Sequence, residues 1–162
     1  MASYVFNQVK GLAGKGQLNF SSGNYYKLAL VGADLLNQSK YCSYTVWGNS
    51  SDSNSVASKE ITATGAYTQS ILRNIGVLED NDPATTCNNY VVYADDITFN
   101  VTTLTAYCII IVKSTTPNGG INANDTLIAA IDITTGGVPA VSNNGVFKII
   151  LNKDSGGFLT MK

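Results

Sequence analysis

The chain contains no histidine, and its 162 residues include only three prolines and three cysteines. The missing histidine removes the usual general base, the nucleophile–histidine–acid triad and the commonest metal ligand. Cys42, Cys87 and Cys108 are odd in number and have no CxxC spacing, which fits neither a disulfide framework nor a zinc site. Free thiols in a reducing cytoplasm are the simpler reading. Cys108 lies in the apolar run Ala106–Val112 and is expected to act as a small buried hydrophobe, whereas Cys87, in a polar loop, is the thiol expected at the surface. A cysteine nucleophile would need another base, and no electropositive setting surrounds any of the three.

Charge is scarce as well. Only 13% of residues are charged and the formal net charge is −1, so no field gathers phosphate backbone or acidic lipid. Nucleic acid is therefore not an expected partner. Lys10, Lys15 and Lys27 are separated by apolar and small residues and are expected on the solvated surface. The longest apolar run, Ala106–Val112, is too short to span a bilayer, and Met1–Phe6 lacks the apolar core of a secretory signal, so no membrane partner is expected. Five Asn-X-Ser/Thr triplets follow from a composition rich in Asn, Ser and Thr.

What is present points to strands. Val, Ile, Thr and Tyr are abundant, and 15 glycines with many Asn and Ser supply turns. A chain of this length buries a core without metals or crosslinks. Ser3–Gly14 starts as a short helix or strand, and residues 1–15 can form an N-terminal arm. Tyr25–Val31 reads as a strand apolar on both faces. Tyr41–Trp47 alternates Tyr41, Ser43, Thr45 and Trp47 with Cys42, Tyr44 and Val46, which predicts a second strand. Val56–Thr62 is a short strand candidate, and the spacing of Ile71, Leu72, Ile75 and Leu78 suits one or two helical turns. A long polar loop is expected over Glu79–Asn89.

The signal sharpens later in the chain. Ile97, Phe99 and Val101 alternate with Thr98, Asn100 and Thr102, as a half-buried strand requires. Thr105–Lys113, Leu127–Thr134, Val146–Asn152 and Phe158–Met161 complete the set. Gly136-Gly137-Val138-Pro139 and the turn signal Asn143-Asn144-Gly145 separate the later strands. About eight strands joined by turns predict one all-β domain over residues 1–162, an antiparallel β-sandwich or jelly-roll-like fold with long polar loops. The expected core includes Ile97, Phe99, Tyr107, Ile109, Ile111, Leu127, Ile131, Phe147 and Ile149.

Three constellations call for weighing. Gly11-Leu12-Ala13-Gly14-Lys15-Gly16 fails the GxxxxGK[ST] spacing, with Gly16 where a hydroxyl would ligate Mg²⁺, and reads as a loop. Asp95-Asp96 with Asp125 or Asp132 would hold Ca²⁺ only if the fold gathered them, and Asp before a strand more often accepts hydrogen bonds from turn amides. Tyr41, Tyr44 and Trp47 offer either a stacking platform for a sugar or, more commonly, apolar packing in a core or an interface. No catalytic residue, metal or cofactor is assigned.

The order of several segments resembles a known family. Thr64-Gly65-Ala66-Tyr67-Thr68, Ala94-Asp95-Asp96-Ile97-Thr98-Phe99, Thr103-Leu104-Thr105-Ala106-Tyr107 and Leu127-Ile128-Ala129-Ala130-Ile131-Asp132 follow one another as in the decoration or cement proteins of tailed-bacteriophage capsids. The strand Tyr25–Val31 and the closing stretch Phe147–Leu159 are similar to that pattern too. The resemblance implies a non-enzymatic virion protein made in the bacterial host cytoplasm. Its partners would be the major capsid protein and further copies of itself, in a trimer. The interface residues expected for it are Tyr41, Tyr44 and Trp47 as apolar anchors and Asp82, Pro83 and Cys87 for the reach of their loop. The alternative is a carbohydrate-binding or adhesin-like module of a neck or fibre. A small hydrolase using Asp or Cys comes third.

Overall fold

A computed structural model describes residues 3–20, 25–35, 39–80, 89–152 and 158–161. The runs of consecutive apolar residues found in the sequence become the central strands. β1 (Ser3–Val5) leads into helix α1 (Asn7–Gly14), so the opening segment supplies both a strand and a helix. The helix ends where the Lys15 and Gly16 amides donate back to Gly11 and Ala13, with Gly16 at φ 66°. β2 (Tyr25–Val31) is the predicted strand, buried from Tyr26 onward.

The strands that follow are β3 (Thr64–Gly65), β4 (Ser70–Ile71), β5 (Gly76–Asp80), β6 (Asn89–Tyr93), β7 (Ile97–Ala106) and β8 (Cys108–Ser114). β9 (Thr126–Asp132), β10 (Ala140–Ile149) and β11 (Leu159–Met161) complete the chain. They form three sheets in the orders β1-β9-β8-β2-β4, β10-β7-β3 and β11-β6-β5. Every pairing is antiparallel. The fold is all-β, as composition and strand patterning predict.

β8 lies between β2 and β9, with Ile110 opposite Ala29 on one side and Ala130 on the other. Isoleucine between alanines lets the strands fill both faces without overpacking. The second sheet sends Phe99, Leu104, Ala106 and Ile149 into the same apolar cluster. Tyr67 ties the two sheets together: its ring packs edge-on against Phe99 at 5.3 Å, and its hydroxyl accepts the Leu30 amide of β2.

Several expectations fail for identifiable reasons. Tyr41–Trp47 is not a strand: Ser39–Ser43 forms a 3₁₀ turn, and only Val46 bridges a neighbour, Thr126. Val56–Thr62 holds a 3₁₀ turn at Ala57–Lys59 with a lone bridge from Glu60 to Val31. Ile71–Leu78 is not helical, since its ends pair as β4 and β5. Thr105–Lys113 divides at Tyr107 between β7 and β8. The Asn143-Asn144-Gly145 signal marks no turn but a bulge inside β10, and the chain reverses at Thr135–Val138. Of the expected core, Ile97, Tyr107, Ile131 and Phe147 are only half-buried, whereas Phe99, Ile109, Ile111, Leu127 and Ile149 are buried.

The alternation along β7 breaks at Val101. Phe99 is buried, Val101 (φ 49°) is exposed, and from Thr102 onward the even-numbered residues face inward. One extra residue on β7 between Phe99 and Thr102 is matched by one on β10 between Ser142 and Gly145, so the register shifts and then returns. A bulge adds one residue and reverses the side-chain parity beyond it.

Candidate binding surfaces

Tyr41 and Trp47 are 2% and 3% exposed, so the expected surface anchors spend their apolar area on this chain's own core. The Trp47 amide donates to Asp125 and its carbonyl accepts from Ala57, which threads the residue through the interior. Tyr44 is half-buried with its ring edge-on to Tyr41 at 5.2 Å. The three rings therefore form no open stacking platform. Asp82, Pro83 and Cys87 lie outside the described residues. Cys108 is fully buried and burial pushes its thiol up to about 12, which keeps it protonated and unreactive.

Lys27 departs most from expectation. It is 1% exposed in β2, and its ammonium donates to the Gly120 carbonyl at 2.7 Å and the Thr116 hydroxyl at 3.3 Å. Its stem runs through apolar surroundings while its head holds the Thr116–Gly120 loop. Lys10 and Lys15 are exposed, as expected.

That loop walls an open cleft of about 900 Å³, whose other residues include Glu60, Gln69, Arg73, Asp95 and Asp96. Glu60 is half-buried and its carboxyl is raised by desolvation, offset by donation from the Tyr67 hydroxyl at 3.0 Å and the Gln69 amide at 2.7 Å. The Gln69 carbonyl in turn takes the Ile121 amide. Asp96 pairs with Lys148 at 2.9 Å and accepts the Leu151 amide, and these contacts with Asn152 hold its carboxyl below the usual range. Asp95 accepts from Asn74 at 2.7 Å. Each of these carboxylates accepts at least one hydrogen bond from the protein itself. Asp96 thus takes its donors from the far end of β10 and the residues after it, where a local turn amide was the expected partner. Among the described residues no group of three or more Cys, Asp and Glu side chains is placed to hold a metal.

The second surface follows β7 and β10. Val101 on β7, Val141 and Val146 on β10, Val138 before β10 and Ile150 after it are between 52% and 65% exposed, and they make up five of the eight large apolar side chains exposed among the described residues. The double bulge sets Val146 opposite the stretch holding Val101. Sequence patterning missed this surface because Val101 was assigned inward and Asn143-Asn144-Gly145 was read as a turn. The signal lay in Val141 and Val146, which flank the turn residues as a continuing strand would.

No family model, curated protein or solved structure matches this chain. No described helix is long and apolar enough to cross a membrane.

Proposed function

We propose that this chain is a structural virion protein that binds the assembled capsid surface and stabilises the shell by bridging neighbouring capsid subunits. The order of segments that resembles phage decoration proteins supports the capsid as partner. The observation that carries the interaction role is that five of the eight large apolar side chains exposed among the described residues lie on or directly beside the paired strands β7 and β10. Exposed apolar side chains gathered along one sheet favour a protein contact over a small-molecule site.

The physical logic of a cement asks little of each contact. An interface of about 1,000 Å² is modest alone. A homo-oligomer, a trimer in this reading, engages several subunits at once, and the raised effective concentration multiplies its hold. Binding the intact shell and not its dissociated parts shifts the balance toward survival by mass action.

The test is release of DNA from particles made with and without this gene product, under heating and osmotic shock. The reading requires normal assembly in both and earlier release without the protein. Equal release, together with no cosedimentation of the purified chain with particles, overturns it.

A further inference from the structure

The sequence holds two Asn-Gly pairs, Asn118-Gly119 and Asn144-Gly145. We infer that Asn118 is a site of spontaneous modification, where the side-chain amide reacts with the Gly119 nitrogen and ends as aspartate or isoaspartate, and that the fold protects Asn144 from the same reaction.

The chemistry needs a backbone nitrogen free to reach a side-chain carbon. The Gly119 nitrogen, having given its proton to hydroxide, attacks the Asn118 Cγ. The new N–Cγ bond closes an imide ring while the Cγ–Nδ2 bond breaks and Nδ2 leaves as ammonia. Water then adds to one of the two imide carbonyls. Opening at Cγ restores the ordinary backbone and leaves aspartate; opening at the backbone carbonyl leaves isoaspartate, whose main chain runs through the former side chain. The net change is asparagine plus water to a carboxylic acid plus ammonia, with nothing oxidised or reduced. Glycine after the asparagine favours ring closure, because it has no Cβ to block the approach and its backbone turns freely.

The two pairs differ in what holds them. Asn118 and Gly119 are exposed in the Thr116–Gly120 loop, and neither the Asn118 carboxamide nor the Gly119 amide has a hydrogen-bond partner among the described residues. Gly119 has φ 80°, and a Cβ built on it would meet nothing within 4 Å, so this part of the loop has room to turn. Lys27 and Gln69 fasten the loop only toward its ends, through Thr116, Gly120 and Ile121. Asn144 is exposed too, but its amide donates to the Thr103 hydroxyl at 2.8 Å, and Gly145 is paired with Thr102 between β10 and β7. Ring closure there has to open the ladder first. At Asn118 the product also has a neighbour: the new carboxylate joins the cleft that Arg73 lines, and Arg73 has no ion pair among the described residues. The reaction needs no partner, so it proceeds whether or not the chain binds a capsid.

The experiment is storage of the purified chain in mildly alkaline buffer at physiological temperature. Peptide mass spectrometry then measures the converted fraction at Asn118 and at Asn144, and labelling by an isoaspartyl methyltransferase detects isoaspartate. The chain unfolded in concentrated urea and the variant Asn118→Gln, whose longer side chain closes its ring far more slowly, are the comparisons. In the folded chain Asn118 is expected to convert about tenfold or more faster than Asn144, and in urea the two rates converge as the ladder's protection is lost. Asn118→Gln is expected to lose most of the isoaspartate label. An Asn118 that stays intact in the folded chain overturns the inference, as does an Asn144 that reacts equally fast or a label that persists at full level in Asn118→Gln. A gap equally wide in urea would show that local sequence sets the preference, and would overturn the protection of Asn144 by the fold.

Discussion

Val101 and Asn144 occupy matching places on adjacent strands: each has a left-handed backbone, φ 49° and 50°, and each immediately precedes a member of the Thr102–Gly145 pair. The two bulges cancel in register, so β7 and β10 stay paired to both ends. Further hydrogen bonds hold the join. The Ser142 hydroxyl donates to the Thr102 carbonyl at 2.9 Å, and the Asn144 amide donates to the Thr103 hydroxyl at 2.8 Å. Asparagine tolerates this conformation, whereas a β-branched valine does not.

Val101→Gly is therefore expected to stabilise the protein by about 1 kcal/mol, the strain relieved exceeding the extra unfolded-state entropy of glycine. The side chain is largely exposed, so little packing is lost. Urea unfolding of the parent and variant checks this, and a lower midpoint for the variant would show that Val101 bears no strain.

Gly65 closes the other side of the same bulge. It sits at φ 96°, and a Cβ there would lie 2.1 Å from the Val101 carbonyl oxygen. Backbone cannot swing aside as a side chain can. Gly65→Ala is expected to cost about 2 kcal/mol or more through the clash and the unfavourable φ. Thermal melts should show the loss, and Gly14→Ala, where the Cβ meets nothing within 4 Å, should not.

Lys27→Met keeps the buried stem but withdraws the donors to Gly120 and Thr116. Global stability should change little, because an apolar residue of similar shape also spares the desolvation of a buried ammonium. The loop should loosen, with amide exchange at Thr116 and Ile121 rising about tenfold or more through local opening. Unchanged exchange at both would mean that Gln69 and Ser114 fasten the loop without Lys27.

Asp96 gives a pH dependence of definite sign. Lys148, the Leu151 amide and Asn152 hold its folded-state carboxyl below the ordinary value. Its contribution is therefore fully present above the unfolded value of about 3.9 and declines as pH falls through the lower folded value. The stability gap between the parent and Asp96→Asn should be constant near neutrality and shrink in acid below about pH 4. Parallel stability curves down to strong acid would contradict this assignment.

Sequence by itself determined the all-β class and the strands that are apolar on both faces. Tyr25–Val31 and most of Thr105–Lys113 read as interior strands, because a sheet covered on both sides removes so many consecutive apolar residues from water, although the second divides at Tyr107 into the end of β7 and β8. The burial of Cys108 follows from the same run. Tertiary structure decided the rest. The alternation in Tyr41–Trp47 is that of a strand, but partner strands fix an edge, and here Tyr41 and Trp47 do better filling the core from a 3₁₀ turn and an extended loop. Lys27 could not be placed by local pattern, since its burial depends on Gly120, which is 93 residues away. Val101 faces outward because a bulge reverses side-chain parity, and that bulge exists only where β7 meets β10 and leaves room at Gly65. Periodicity reports which residues favour burial; which face each presents is set by pairing between strands far apart in the chain.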